Sequence, residues 1–427
     1  MQPDIYFPDD HGIDESWIDP DAIYILKKLY SAGYKAYLVG GSVRDLLVKK
    51  VPKDFDISTS AKPEEIKALF SRQCILIGKR FRLAHIRFGR KYIEVSTFRT
   101  GENDSGLILR DNEWGTPDED VLRRDFTING LFYDPTQHCI IDYVGGWDDI
   151  KNGILRTIGE PTIRFKQDPV RLLRLLKFQA RFGFKIEERT NQGAKETKEE
   201  ILKSSSARIL EEFFRMLESG AAAPFIKLLE RYEILELLMQ PLAQALKTPH
   251  GKMIYRYLSC ADQWRVRKGN IVLDRAVLTA CLIFPLLEYE IHHQYLNRDQ
   301  VPHFGEITLI ASTLIKSVLL RSFAHFPKRI TGLVTHIMMS QYRLTPLTGK
   351  RHYREKLFHH KDFKHTLKFL KLRALVDERL VETYISIKNQ YKQFIHHTER
   401  ESETHPPHTH TRQAPFYRRR TPHAPPS

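Results

Sequence analysis

A chain of 427 residues with 41% hydrophobic and 28% charged side chains is long enough for roughly two to three domains and apolar enough to bury a core, which excludes wholesale disorder. Its 67 Lys and Arg against 52 Asp and Glu leave a net charge of +15, a surplus that favours a polyanionic partner, either nucleic acid or an anionic membrane surface. Four scattered cysteines, Cys74, Cys139, Cys260 and Cys281, have no metal-ligand spacing and exclude a disulfide framework, so a reducing, cytoplasmic setting is expected.

The acidic start, with Asp4, Asp9, Asp10, Asp14 and Glu15, is unlike a signal peptide, and residues 1–20 are read as an N-terminal extension. From Asp21 to Ala32 the apolar spacing of Ile23, Leu26 and Leu29 predicts a helix that Gly33 ends. Ala36 to Val39 predicts a strand running into Gly40-Gly41, with a helix from Ser42 to Val48 and Ser42 near its cap. Strand-like runs follow at Phe55–Ser58, Cys74–Gly78, Ala84–Phe88 and Tyr92–Phe98, with a helix at Pro63–Phe70. The fold class expected is α+β, a small mixed-sheet head over 21–150.

Beyond Asp142 the glycines Gly145, Gly146 and Gly153 mark a connection to segments that read as helices, expected as a neck over 151–245 and a body over 246–396. Ala276 to Leu287 is the most apolar stretch; it contains Pro285 and is short of the roughly 20 residues of a bilayer span, so it predicts a buried helix and no membrane anchor. Another break, Thr345 to Lys350, precedes a basic segment, where twelve Lys or Arg between Leu347 and His396 stand against five acids. Residues 397–427 are expected to form a disordered basic tail, because Thr404 to Ser427 is rich in Pro, His and Thr, carries Arg418-Arg419-Arg420 and has no acid.

Several clusters could carry chemistry. Gly40-Gly41 ahead of a helix lets backbone N–H groups approach a phosphate, although an ordinary tight turn has the same composition. In a strand, Asp54 and Asp56 point to one face, where they repel unless a cation such as Mg²⁺ joins them; an exposed acidic strand end is the plainer alternative. The run Arg123-Arg124-Asp125-Phe126-Thr127-Ile128-Asn129 could be a salt-bridged helix face. Asp168-Pro169 is a helix-start signal, and Arg171 and Arg174 share the face that follows; bidentate Arg beside Asp can read the edge of a base. Tyr353, Phe358, Phe363 and Phe369 have core spacing more than stacking spacing. His359, His360, His365, His408 and His410 lack the partners of a structural zinc site.

In this order and spacing the motifs resemble the class II branch of the DNA polymerase β nucleotidyltransferase superfamily, which comprises bacterial poly(A) polymerases and CCA-adding tRNA nucleotidyltransferases. The resemblance covers roughly Ala36 to Leu217 and includes Glu94 to Arg99, Asp142 to Gly146 and Arg208 to Leu217 with Glu212. Leu109 to Thr116, Gly78 to His85 and the basic C-terminal segment are similar to the poly(A)-polymerase side of the branch.

The resemblance implies RNA extension with AMP from ATP, release of pyrophosphate, and two Mg²⁺ ions on Asp54 and Asp56. It implies that Gly40 and Gly41 cradle the triphosphate, supported by Arg44 and Asp45, and that Arg124, Asp125 and Asn129 meet the ribose. Asp125 counts among the catalytic aspartates and ranks ahead of Glu94 as the third acidic group. Asp168 and Arg171, with Arg174 nearby, would select the base. RNA 3′ ends are the implied partners, with an Sm-like RNA chaperone or decay complex, and the implied state is a monomer. Where the family has Glu before Asp168 this chain has Gln167, so Arg171 is expected to be held less firmly and discrimination between ATP and CTP to weaken. A CCA-adding enzyme, an inert RNA-binding protein and a basic peripheral membrane protein are the competing readings.

Overall fold

The computed structural model describes residues 1–78, 83–100, 114–249, 251–267, 269, 271–323, 325–348 and 355–404, with 355 and 398–404 described by backbone alone. It divides into two compact units, Met1–Met339 and the part from Ser340 onward.

The first unit begins with β1 (Asp4–Tyr6), α1 (Pro8–His11), α2 (Pro20–Ser31), β2 (Ala36–Val39), α3 (Gly41–Leu47), β3 (Asp56–Thr59) and α4 (Pro63–Phe70). It continues with β4 (Cys74–Ile77), β5 (Leu83–Phe88), β6 (Lys91–Thr97), α5 (Pro117–Leu122), β7 (Leu131–Asp134), β8 (Cys139–Asp142) and α6 (Gly146–Asn152). The eight strands form one mixed sheet in the order β1-β8-β7-β2-β3-β6-β5-β4. Within this sheet β3 and β6 pair in parallel, and every other neighbouring pair is antiparallel.

Strand alternation sorts the side chains of β3 to β6. Ile57, Cys74, Ala84, Ile86, Ile93 and Val95 are buried on one face, against which α2 and α4 pack. The other face carries Asp56 and Glu94. Asp19 caps α2, accepting a hydrogen bond from the Asp21 N–H, and Pro20 opens the helix. Its buried stripe is Ala22, Ile25, Leu26 and Leu29; Ile23, placed on that face by the three-residue spacing, lies beside it.

Three strands of this sheet escaped the sequence reading, as did a separate two-stranded pair, Ile154–Leu155 with Lys185–Ile186. β7 and β8 are buried along their whole length, so they lack the alternation that marks a half-exposed strand. The N-terminal extension supplies β1, which pairs along β8 from Asp4 opposite Asp142 to Tyr6 opposite Ile140. Glu15 then accepts hydrogen bonds from the Tyr133 hydroxyl and engages His138, fastening the extension to the sheet.

The helical remainder of this unit runs through α7 (Pro161–Gln167), α8 (Val170–Phe182), α9 (Glu188–Glu196), α10 (Ser206–Leu217), α11 (Ala222–Arg231), α12 (Ile234–Leu238) and α13 (Gln240–Leu246). It then follows α14 (Gly251–Arg267), α15 (Arg275–Gln294), α16 (Phe304–Ile315) and α17 (Lys328–Leu344), and the division between units falls within α17. As expected, Ala276 to Leu287 is a buried helical segment, the core of α15. Among the described residues no helix is long and apolar enough to cross a membrane.

The second unit contains α18 (Phe363–Val376) and α19 (Val381–Thr404) around Leu344, Leu357, Phe358, Phe363, Leu370 and Ile387. Phe358, Phe363 and Phe369 are buried, in keeping with core spacing. α19 continues through residue 397 as far as Thr404, so the tail expected from 397 begins as helix. The rest of that tail, His408 and His410, Tyr353, the end of the Thr345–Lys350 break, the interior of Gly78–His85 and most of Leu109–Thr116 lie outside the described residues.

Candidate active site

The site is built where β2 and β3 end. After Val39 the chain turns at Gly40, with φ 67° and ψ −125°, a conformation that side chains rarely tolerate. Gly40, not Ser42, therefore occupies the cap position of α3; the Ser42 hydroxyl instead donates back to the Val39 carbonyl at 3.0 Å. Two arginines close on the turn. A β-carbon on Gly40 would lie 3.4 Å from Arg124 Nη1, and one on Gly41 3.5 Å from Arg44 Nη2.

Arg44 is buried and fully engaged. It donates to Asp45 Oδ1 from Nε at 3.0 Å and Nη2 at 2.7 Å, and to Asn129 Oδ1 from Nη1 at 2.6 Å. Its guanidinium carbon sits 4.9 Å from the ring centres of both Phe178 and Phe182 on α8. Arg181, one residue before Phe182, donates to Asp45 Oδ2 at 2.7 Å. Arg44 and Asp45 thus brace the glycine turn against α8.

Asp56 is the first residue of β3 and Asp54 precedes the strand; buried Phe55 between them turns both carboxylates outward. They open with Glu94 into a cleft of about 710 Å³. Glu94 is the cross-strand neighbour of Asp56 in the parallel β3–β6 pair. Burial, then the Glu94 and Asp54 charges, push the Asp56 carboxyl up to about 6 against the opposing pull of Arg124. The same lining carries the cations Lys53, Lys177, Arg181, Arg215 and Arg265. Burial, Arg265 and Arg181 together lower the Lys53 ammonium below its ordinary value.

The third expected aspartate is elsewhere. Asp125 does not line this cleft; it is 4% exposed, accepts from the Phe126 N–H at 2.8 Å and Asn129 Nδ2 at 3.0 Å, and lies 2.8 Å from Arg174 Nη2. Glu94, ranked second from the sequence, is the carboxylate beside Asp56. Residue order could not show this, because the adjacency depends on the pairing of strands far apart in the chain. Asn129 is likewise buried between Arg44 and Asp125.

Arg124 holds an intermediate position. It donates to Asp120 Oδ2 at 2.9 Å, to the Ser58 hydroxyl at 3.3 Å and to the Asn129 carbonyl at 3.4 Å. The base-selecting set is divided. Arg171 is 5% exposed and donates to the carbonyls of Arg164 at 3.0 Å and Arg123 at 3.2 Å, so it is committed to backbone. Asp168 accepts from Arg208 at 2.9 Å. Arg174 and Arg208 line a second cavity of about 320 Å³ with Val170, Glu211, Glu212 and Arg215.

Gln167 is not on Arg171. Its Oε1 accepts from Arg164 Nη1 at 2.9 Å, while Arg164 Nη2 donates to the Arg124 carbonyl, also at 2.9 Å. Two guanidiniums therefore clamp consecutive carbonyls of the Arg123-Arg124 segment. Sequence reasoning assigned no role to Arg164, Lys53, Arg181 or Arg265; the one available signal was an excess of cations in helices following an acidic strand.

Residues 36–156 match the Poly A polymerase head domain, 183–246 the "Probable RNA and SrmB- binding site of polymerase A", and 315–424 the Polymerase A arginine-rich C-terminus. The chain is 36% identical over 383 residues to Poly(A) polymerase I of Escherichia coli, an alignment spanning 86% of this chain and 81% of that one. The chain belongs to the poly(A) polymerase I family. A second member of the poly(A) polymerase I family, from Haemophilus influenzae, is 34% identical over 84% of this chain and 81% of its own.

The CCA-adding enzyme of Lactobacillus helveticus is 41% identical over 197 residues, spanning 46% of this chain and 49% of that one. In fold, the poly(A) polymerase chain is similar to the Bacillus stearothermophilus CCA-adding enzyme crystallised with CTP, with a TM-score of 0.62, 25% identity and coverage of 86% of this chain and 83% of that one.

Proposed function

We infer that the chain is a polynucleotide adenylyltransferase that adds AMP from ATP to RNA 3′-hydroxyl ends and releases pyrophosphate. The observation that carries this reading is the similarity to Poly(A) polymerase I, which spans 86% of the chain, against 46% for the CCA-adding relative from Lactobacillus helveticus.

The acidic side of the cleft fits Mg²⁺. Asp54 and Asp56 crowd like charges onto one wall, and this ion is commonly held by one or two carboxylates together with substrate phosphates. Bound there, Mg²⁺ would activate the attacking hydroxyl and neutralise charge on the departing pyrophosphate. Among the described residues no group of three His, Cys, Asp or Glu side chains is placed to hold a metal, so the ion would rest on the two aspartates and on the phosphates of the substrate.

The chain's own groups do the positioning. The bare backbone of Gly40 and Gly41 gives the triphosphate room beside α3, and Lys53, Arg181 and Arg265 in the cleft lining offset its charge. Arg124, held by Asp120, meets the sugar. Asp125 acts through Arg174, orienting that guanidinium at the cavity where Arg208, itself held by Asp168, meets the base. Arg171 fixes the Arg123 carbonyl and hence the position of Arg124.

The basic second unit and tail hold RNA by its phosphates, with affinity that falls as salt rises. A cytoplasmic location, a monomeric state and recruitment by an Sm-like RNA chaperone or decay complex complete the proposal. Primer extension decides it: purified protein, Mg²⁺, an unstructured RNA and a tRNA lacking its CCA end, with ATP and CTP offered separately and together. Long tails from ATP alone on both RNAs are expected. Addition confined to CCA on the tRNA would overturn the reading in favour of tRNA repair.

A further inference from the structure

The open face of the sheet continues beyond the carboxylates. Register places Asp56 beside Glu94, Glu94 beside His85, and His85 beside Ile75, a row that crosses β3, β6, β5 and β4. One pleat to one side of this row Tyr92 sits opposite Arg87, and one pleat to the other side Ile77 sits opposite Leu83. While the other face of these strands is buried, this one leaves Ile75, Ile77 and Tyr92 at 46%, 45% and 51% exposure. The His85 and Tyr92 rings lie 6.1 Å apart, and both line the cleft that holds Asp54, Asp56 and Glu94.

The reaction geometry selects the occupant. The glycine turn ends β2, which flanks β3 on one side; β6, β5 and β4 extend from the other. In phosphoryl transfer the attacking and leaving oxygens lie roughly in line through phosphorus. With the departing pyrophosphate over the glycine turn, the 3′-hydroxyl must arrive from the β6 flank.

We propose that the β4–β5–β6 face is the seat of the RNA primer's 3′ end, with Tyr92 stacking a terminal base and His85, Ile75 and Ile77 extending the platform. The terminal ribose then places its O3′ at Asp56 and Glu94. O3′ forms a bond to the α-phosphorus, the bond from that phosphorus to the bridging oxygen breaks, pyrophosphate leaves with the electron pair, and the hydroxyl proton passes to solvent. Stacking suits this seat because every base offers a π-face. The proposal rests on the adenylyl-transfer reading for its orientation.

The test uses the full chain and a fluorescent oligoadenylate of about ten nucleotides, a length that can fill a single-strand groove, ending in 3′-deoxyadenosine so that no reaction follows. Tyr92→Ala should raise the Kd for this RNA about ten-fold, the effect of removing one base–aromatic stack, with ATP affinity changed by less than about two-fold. Tyr92→Phe should bind like the unaltered chain, as should Tyr30→Ala, which removes an exposed ring from α2. An unchanged RNA Kd in Tyr92→Ala, or equal weakening toward ATP, overturns the seat.

Photocrosslinking of the unaltered protein to an RNA ending in 4-thiouridine is independent of how any variant folds. Adducts within residues 74–77 or 83–97 support the proposal, and adducts confined elsewhere overturn it. A chain that binds and crosslinks as expected but transfers no AMP would sink the adenylyl-transfer reading and leave the RNA seat standing.

Discussion

Arg174 Nη2 lies 2.8 Å from Asp125 Oδ2, joining α8 to a buried loop that is 49 residues earlier in the chain. Asp125 is 3% exposed at its side chain and Arg174 36%, so the carboxylate is the partner that cannot fall back on water. Asp125→Ala should destabilise the protein by about 3 kcal/mol, the scale for breaking a buried pair from one side. It should also reduce AMP transfer, because Arg174 and Asn129 both lose their anchor. Denaturant unfolding monitored beside primer extension checks both; a variant of normal stability would show that the pair contributes nothing to the fold.

Removing either outward carboxylate, Asp54→Ala or Asp56→Ala, should lower AMP incorporation by at least on the order of 10²-fold with folding intact, comparable to losing a major electrostatic contributor. Glu94→Ala should lower turnover as well, since Glu94 is the residue paired with Asp56 across β3 and β6. Chelation should abolish incorporation and added Mg²⁺ should restore it. Near-normal turnover in Asp54→Ala or Asp56→Ala would reject the carboxylate assignment.

Two glycines make opposite kinds of demand. Gly40→Ala forces a side chain into a φ of 67° beside Arg124, a strain of roughly 1–3 kcal/mol placed at the ATP turn, so the KM for ATP should rise. Gly146→Ala instead puts a β-carbon 2.2 Å from the Thr127 carbonyl oxygen, backbone that cannot swing aside. Its effect should be on thermal stability first. Steady-state kinetics and melting curves on both variants separate the two outcomes.

Acid stability should depend on Asp120. Burial opposes ionisation of this carboxyl, but Arg124 and Arg123 outweigh burial and hold it below the usual carboxylate range. A folded value below the unfolded one, which is about 4, means the stabilisation is present above that pH and is lost as pH falls through the folded value. Tm measured downward from neutral pH should decline, and Asp120→Asn should flatten the decline. Parallel curves for the two proteins would contradict the assignment.

Gln167→Glu offers a charge to Arg164, strengthening the hydrogen bond now made at 2.9 Å. Because Arg164 also grips the Arg124 carbonyl, the preference for ATP over CTP should increase. Competition between the two nucleotides in one extension reaction reads the ratio. An unaltered ratio would disconnect this position from base choice.

What the sequence by itself determined is local. The positive φ after Val39 is open to Gly40 and closed to most other residues, the Asp54-Phe55-Asp56 alternation sends two carboxylates outward around one buried ring, and Asp19-Pro20 starts a helix; each depends on neighbours a few residues away. Tertiary structure decided which distant groups meet. Glu94 stands beside Asp56 through strand register, Asp125 is withdrawn from the cleft by Arg174 and Asn129, and Arg171 is spent on two carbonyls from separate segments. The physical reason is that a buried polar group must find a partner wherever packing brings one, and that partner is chosen by the fold of the whole chain rather than by its spacing along the sequence.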